Sequence, residues 1–281
     1  MSEKISSFIE FWQAVKSISF ADDEILLFRG HANCAYRLQP SIFRDKCNKK
    51  NEEQRQYHEI LIEYPEEFKK RSHLSNLVKM QHYGVSTRLL DFTRNPLISL
   101  LVASEPSDFD GEVIIVKVKK SEILHHNSDR VLMLSCIPCF DDDKQEAMRK
   151  FCMAHKGRIT EQYIQSYDNV MHKFLHEIRG EYPGFECEMI GEDLLKGYFV
   201  APVKDNERMK LQNGLFYIFG LDEEPLDDKM DFERILIDKR AKRELLNDLE
   251  LMDISNANMY SGFERKAMNI KGKYVSWKED R

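Results

Sequence analysis

Two polar stretches in the first third of the chain carry the side chains best suited to bind an anion. The first is Phe28-Arg29-Gly30-His31, where an Arg ends an apolar run and a Gly permits close backbone approach. This pattern suits a phosphate or carboxylate clamp, and an Arg paired with an internal acid is the alternative. The second stretch, residues 81–96, places nine polar or charged side chains between two apolar segments. Because polar groups at a core boundary need partners, this stretch forms either a hydrogen-bonded network or a ligand site.

A third set of side chains has the spacing of metal ligands. Cys136, Cys139, Cys152 and His155 follow the pattern C-x2-C-x12-C-x2-H, which is compatible with zinc. Apolar neighbours surround these residues, and no Gly lies near Cys152 to form a tight knuckle. The pattern therefore favours buried core cysteines over a zinc site. Separately, we expect no metal at the anion-binding residues described above.

The distribution of charge supports an anionic ligand. The 281-residue chain has a net charge of −6, but residues 28–94 hold 13 Lys and Arg against 8 Asp and Glu, a net of +5. The same segment holds four of the nine histidines. A basic segment in an acidic protein indicates either an anion-binding region or a solvated basic surface. The acidic remainder argues against a general nucleic-acid binder.

Composition excludes several other classes of protein. Hydrophobic residues make up 42% of the chain, which is typical of a globular domain with a large core. No apolar run approaches the roughly 18 residues of a membrane-spanning helix, and the first residues lack a secretory signal. Six scattered cysteines are too few for a disulfide framework. We therefore expect a reduced, cytoplasmic protein with no membrane partner.

The elements that position these residues follow from the hydrophobic pattern. It predicts helices over 6–17, 51–71, 72–84 and 239–252. A further apolar helix should start within 91–104, with Thr93 or Asn95 as its cap and Pro96 in its first turn. Pro65 kinks or divides the second helix, and Asp238 is the expected cap of the last. Strands are predicted over 24–28, 111–120, 197–203, 214–220 and 232–238. The sum is one α+β domain over 1–281, with a helical insertion near 122–195 and a strand–helix extension over 221–281.

Several of these segments together resemble the FRG domain, a family named after the triplet that stands here as Phe28-Arg29-Gly30. The matching segments are Tyr36-Arg37-Leu38-Gln39-Pro40-Ser41-Ile42-Phe43-Arg44, Gln81-His82-Tyr83-Gly84, Thr87-Arg88-Leu89-Leu90-Asp91, Asn95-Pro96, Asn206-Glu207-Arg208 and Gln212-Asn213-Gly214-Leu215-Phe216. The resemblance spans residues 24–220.

More distantly, the order of motifs is similar to the arginine–serine–glutamate branch of the ADP-ribosyltransferases. That resemblance implies an NAD site between two small split sheets of mixed or antiparallel strands. Arg29 would clamp the phosphate and ribose side of NAD, and Ser86 and Thr87 would orient its nicotinamide. Further ligand-binding residues implied for the same pocket are Gly30, Tyr36, His82, Arg88 and Arg208, and Arg94 is a further position for anion contact.

The sequence departs from that branch at one position that matters for catalysis. Where a Glu is expected, the chain has Gln212, and an amide cannot offset the positive charge of an oxocarbenium-like transition state. Glu207 lies five residues away, which on a strand is roughly 16 Å and the opposite face. Asp91 is then the first candidate for the acid, with Thr87 and Gln212 as the other catalytic candidates.

Two hypotheses about function follow, with a weaker third. The first is an ADP-ribosyltransferase-like enzyme or NAD-consuming toxin or defence effector. The second is a module that senses a nucleotide or another anion in bacterial stress or phage defence without turning it over. Nucleic-acid binding by the basic segment is the third. The sequence does not identify a target macromolecule or an oligomeric state.

Overall fold

A computed structural model gives the fold of the chain, and it describes residues 4–44, 52–68, 72–155, 157–167, 169–203 and 214–259. The nine strands in this part of the chain are β1 (Glu24–His31), β2 (Leu89–Thr93), β3 (Gly111–Lys119), β4 (Leu124–His125), β5 (Arg158–Thr160), β6 (Glu188–Ile190), β7 (Tyr198–Ala201), β8 (Gly214–Ile218) and β9 (Glu233–Ile237). The fold is α+β, as the sequence predicts.

The α-helices lie before, between and after these strands. They are α1 (Phe8–Ser17), α2 (Glu53–Glu63), α3 (Pro65–Phe68), α4 (His73–His82), α5 (Pro96–Ala103), α6 (Asp129–Cys136), α7 (Asp142–Ala154), α8 (Glu161–Tyr167), α9 (Asn169–Glu181), α10 (Gly191–Leu195), α11 (Lys242–Leu251) and α12 (Asn256–Met259). Short 3-10 turns span Ser41–Phe43, Lys120–Glu122, Ile137–Cys139 and Leu226–Asp228. Within these residues no helix has both the length and the apolar character needed to cross a membrane.

Seven strands form one sheet in the order β4-β7-β8-β2-β1-β3-β9, and β5 and β6 form a separate two-stranded sheet. All pairings in the large sheet are antiparallel except that of β4 with β7. The expected pair of split sheets is therefore one continuous sheet. However, β1 and β2 pair only at Phe28↔Thr93, whereas β1 pairs with β3 along all eight of its residues. The sheet is thus narrowest at the β1–β2 junction.

The Phe-Arg-Gly triplet lies on β1, where successive side chains point to opposite faces of the sheet. Phe28 packs in a core with α1, α5 and α11 on one face. Leu27 packs in a second core on the other face, together with the turn at Ser41–Phe43. By alternation Gly30 shares the face of Phe28, and Arg29 and His31 share the face of Leu27. One strand therefore holds a helix on one side and presents polar groups on the other.

Helix α5 packs directly on β1 at Gly30. A Cβ atom at this position would lie 2.1 Å from the Ser99 carbonyl oxygen and 2.8 Å from the Ala103 nitrogen. The helix starts as predicted, because Asn95 caps it by accepting from the Leu97 N–H at 3.0 Å and Pro96 occupies its first position. Gly30 therefore allows the close packing of α5 on β1, and its contact with a ligand stays a prediction.

Three features of the fold differ from the sequence expectations. Strand β2 was expected to be a connection between helices, yet its apolar side chains pack on both faces of the sheet. The helical insertion contains the antiparallel pair of strands β5 and β6. Asp238 does not cap α11, whose N-cap is Ala241; its carboxylate instead accepts from the Arg240 N–H at 2.8 Å.

Candidate functional site

A row of hydrogen bonds joins three predicted site residues at the β1–β2 junction. The Thr87 hydroxyl donates to Gln81 Oε1 at 2.5 Å, and Gln81 Nε2 donates to Asp91 Oδ2 at 2.6 Å. Arg29 Nη1 donates to the Asp91 carbonyl oxygen at 2.8 Å and lies 3.9 Å from Asp91 Oδ2. We call this row, Thr87–Gln81–Asp91–Arg29, the Arg29–Asp91 site.

The two charged members of the site differ in exposure. The side chain of Arg29 is 16% exposed, whereas that of Asp91 is 59% exposed. The guanidinium is therefore largely held by protein, and the carboxylate faces solvent. A ligand reaching the junction would meet an exposed carboxylate beside a positioned cation.

Arg29 is fixed from its other side by a buried histidine. Arg29 Nε donates to His31 Nε2 at 3.1 Å, and His31 Nδ1 lies 3.0 Å from Glu112 Oε1. Because an arginine only donates, Nε2 must accept, so the proton is on Nδ1 and is donated to Glu112. Burial lowers the pKa of His31, partly opposed by the hydrogen bond to Glu112, and this agrees with a neutral ring.

Beyond His31, the hydrogen bonds continue across the sheet between side chains of opposite charge. Glu112, which is buried, accepts from Arg234 Nη1 at 2.7 Å, and Arg234 Nη2 donates to Asp227 Oδ1 at 2.5 Å. The other oxygen of Asp227 accepts from the Leu38 N–H at 2.6 Å. The orientation of Arg29 is thereby tied to β3, β9 and the segment that follows β1.

Of the other predicted ligand-binding residues, Tyr36 lies near this site, and His82 and Ser86 are sequence neighbours of its members Gln81 and Thr87. Tyr36 is half exposed, its ring is 6.0 Å from that of His31, and the Arg44 guanidinium lies 6.0 Å from the same tyrosine ring. His82 is the last residue of α4, with its ring 5.3 Å from that of Tyr83, and Ser86 lies in the connection to β2. Tyr36 and Arg44 thus form an aromatic and basic edge next to the Arg29–Asp91 site.

Arg88 does not join the site, although it was predicted to bind the ligand. Its side chain is fully buried and makes a bidentate pair with Glu53, at 3.0 and 2.5 Å. It also donates to Gln145 Oε1 and to the carbonyl oxygens of Phe219 and Gly220. These five hydrogen bonds match the five N–H groups of an arginine, so no donor remains for a ligand.

Two more predicted residues, Arg208 and Gln212, lie outside the described residues.

Arg94 is exposed and lines a cavity of about 250 Å³ together with Lys120 and Ile25. Ile25 and Arg29 are four residues apart on one strand, which is roughly 13 Å. The cavity is therefore separate from the Arg29–Asp91 site.

The four-residue zinc pattern does not come together. Cys136, Cys139 and Cys152 are buried in the apolar core, as the alternative interpretation predicts. His155 Nδ1 lies 2.9 Å from the Phe151 carbonyl oxygen, and its Nε2 contacts the Tyr163 hydroxyl. Within the part of the chain that the structure describes, the one group of three or more residues placed to hold a metal is a different one, His73, Cys139 and Glu177.

Sequence reasoning did not assign a role to Gln81, His31, Glu112 or Arg234. Gln81 and His31 stand in the quoted motifs, so their signal was present. Glu112 gave a weaker signal, as a charged residue at the start of the most apolar strand. Arg234 has no local signal, because its role depends on β9 pairing next to β3.

The neutral state of His31 leads to a prediction about pH. The pKa of His31 is lowered on folding, so as pH falls below about 6.5 the unfolded chain gains a proton that the folded one does not. The free energy of unfolding should therefore decrease as the pH falls through this range. His31 accounts for up to about 1.4 kcal/mol of this decrease per pH unit. Urea unfolding between pH 7.5 and 5 should show a smaller slope against pH for His31→Gln. The exposed His125→Gln serves as control, and equal slopes for both variants would contradict the prediction.

Comparison with known proteins finds one family model that matches part of the chain. The family model of the FRG domain matches residues 24–110. The match runs from the start of β1 to the residue before β3 and includes Arg29, Thr87 and Asp91, but it ends well before residue 220. No curated protein and no solved structure matches the chain.

Proposed function

We propose that the FRG domain of this chain binds NAD at the Arg29–Asp91 site and cleaves the bond between nicotinamide and ribose. The observation that carries the proposal is the row of hydrogen bonds that joins Thr87, Asp91 and Arg29 at the β1–β2 junction. Residues that are 62 positions apart in sequence, Arg29 and Asp91, meet there.

The charges of the site suit the two ends of a dinucleotide. The Arg29 guanidinium, held by His31 and the Asp91 carbonyl, is a preorganised cation for a diphosphate. Tyr36, half exposed beside it, offers an aromatic face for a planar ring. The nearby basic Arg44 adds positive charge on the same side.

The exposed Asp91 carboxylate supplies the chemistry. When the bond between ribose C1′ and nicotinamide breaks, its electron pair leaves with nicotinamide and positive charge develops on the ribose. A carboxylate fixed beside that carbon stabilises the charge until water or a target nucleophile adds. Gln81 holds Asp91 in place by donating to Oδ2, and Thr87 holds Gln81 in turn.

The test is release of nicotinamide from NAD by the purified full chain. Asp91→Asn keeps the shape and removes the charge, so it should lower the rate by about 100-fold or more with little change in binding. Arg29→Ala should instead weaken NAD binding, measured by calorimetry, by roughly 10-fold or more. Asp231→Asn and Arg240→Ala, exposed and outside the site, are the matched controls.

The outcomes separate the two main hypotheses. Release of nicotinamide that depends on Asp91 supports the enzyme, and loss of growth arrest in cells expressing Asp91→Asn would extend it to a toxin or defence effector. Saturable, Arg29-dependent binding without release would overturn catalysis and favour the sensing module. Absence of NAD binding would overturn the proposal altogether.

A further inference from the structure

A second polar cluster lies in the helical part of the molecule and has no part in the Arg29–Asp91 site. His73 is the first residue of α4, Cys139 ends the turn Ile137–Cys139, and Glu177 and Glu181 are one turn apart on α9. Tyr57 of α2 completes the cluster. Three elements distant in sequence therefore bring a nitrogen, a sulfur and carboxylate oxygens to one place.

The carboxylates of Glu177 and Glu181 lie close to the His73 ring without forming hydrogen bonds to its Nε2 atom. His73 Nε2 lies 3.7 Å from Glu177 Oε1 and 3.8 Å from Glu181 Oε2. These distances are too long for hydrogen bonds. They match the separation of two ligand atoms bound to the same ion. The bond lengths of a tetrahedral zinc site place its ligand atoms roughly 3.3 to 3.8 Å apart.

Charge balance at this point also favours a cation. The side chains of His73 and Glu181 are each 15% exposed, so water screens them weakly. The carboxylates of Glu177 and Glu181 both lie within 4 Å of His73 Nε2, and a bound cation would offset their negative charge.

Cys139 adds a soft ligand. One ligand atom each from His73, Cys139 and Glu177 lies within 4.8 Å of the others. Thiolate, imidazole and carboxylate together form a ligand set that zinc accepts. Binding requires the thiol to lose its proton, which passes to solvent as the metal–sulfur bond forms.

Neighbouring groups are placed to orient these ligands. The Tyr57 hydroxyl lies 2.6 Å from His73 Nδ1, and Glu181 Oε2 accepts from the His73 backbone N–H at 2.7 Å. Such contacts fix the ring of a metal-bound histidine. Asn76, also buried, donates to the same hydroxyl at 3.3 Å.

We propose that His73, Cys139 and Glu177 bind one Zn²⁺ ion, with Glu181 and Tyr57 orienting His73. The ion would link α4, α9 and the turn before α7, and so stabilise the helical part of the chain. It is a different ligand set from the one that the cysteine spacing suggests, because only Cys139 is shared.

The test uses the full chain, freed of metal by a chelator and dialysed. Calorimetry should show one equivalent of Zn²⁺ bound, and zinc at 100 times its Kd should raise the Tm by about 5 °C. Co²⁺ in place of zinc should give the near-ultraviolet charge-transfer band of a cobalt–thiolate bond. Cys139→Ser should abolish this band, and Cys34→Ser, an exposed cysteine, should keep it.

A second variant keeps the test decisive if the buried Cys139→Ser folds poorly. The Glu177 side chain is 42% exposed, so Glu177→Gln should fold normally, and it should weaken Zn²⁺ binding at least 10-fold. Absence of saturable zinc binding, a Co²⁺ spectrum without the thiolate band, or unchanged affinity in Glu177→Gln would each overturn the proposal.

Discussion

Replacing Arg88 with methionine should lower the free energy of unfolding by about 3–5 kcal/mol. The guanidinium is fully buried, and its removal leaves the Glu53 carboxylate buried with no countercharge. The Gln145 amide oxygen and the carbonyl oxygens of Phe219 and Gly220 would lose a donor as well. Urea unfolding of the wild type and the variant measures the difference.

The control for Arg88→Met is Arg240→Ala, because the Arg240 side chain is 84% exposed and also pairs with an acid. Because water screens an exposed pair, this variant should stay close to wild type in its free energy of unfolding. The double variant Arg88→Met/Glu53→Leu should recover part of the loss, since it removes both buried charges. A loss from Arg88→Met as small as that of Arg240→Ala would contradict the structural role.

Arg88 also shows where sequence reasoning about the site stops. Arg29 and Arg88 both stand in polar motifs of the basic segment, and local sequence gives no reason to separate them. Their roles differ because Glu53, 35 residues before Arg88, lies buried against it. Arg29 instead meets the backbone of Asp91. Which acid neutralises an arginine is decided by the tertiary structure. Because Glu53 also lies within residues 28–94, its pair with Arg88 leaves the net charge of +5 in that segment unchanged.

The elements themselves were more predictable than the site. Amphipathic α1, the cap of α5 at Asn95 and the apolar strand β3 follow from local pattern, and Pro65 divides α2 from α3 as expected. Strand β2 was missed because it is five residues long and central in the sheet. Its Leu89 and Leu90 pack on opposite faces, so it lacks the alternation that marks a half-buried strand.

That missed strand is what organises the Arg29–Asp91 site. Asp91 was expected near the start of a helix, where its carboxylate could have capped backbone N–H groups. On β2 its carbonyl meets Arg29 and its carboxylate meets Gln81 of α4. The junction thus joins the Phe-Arg-Gly strand to the polar stretch that follows α4, and both motifs fall within the matched residues 24–110.

Replacing Gly30 with alanine should destabilise the fold by about 3 kcal/mol, at the upper end of the range for overpacking. The new Cβ would lie 2.1 Å from the Ser99 carbonyl oxygen, 2.8 Å from the Ala103 nitrogen and 2.9 Å from the Val102 Cβ. Two of these atoms belong to the backbone of α5, so the helix must move away from β1. No rotation of a side chain can relieve the contact.

Gly180→Ala is the matched control for this substitution. Gly180 is exposed near the end of α9, with nothing within 4 Å of a Cβ built there. Alanine there should raise the free energy of unfolding by about 0.5–1 kcal/mol, because it loses less backbone entropy in a helix. Urea unfolding should therefore show shifts of opposite sign for the two variants. A stabilising or neutral effect of Gly30→Ala would contradict the tight packing of α5 on β1. It would also contradict the assignment of the triplet's glycine to packing and of its arginine to the site.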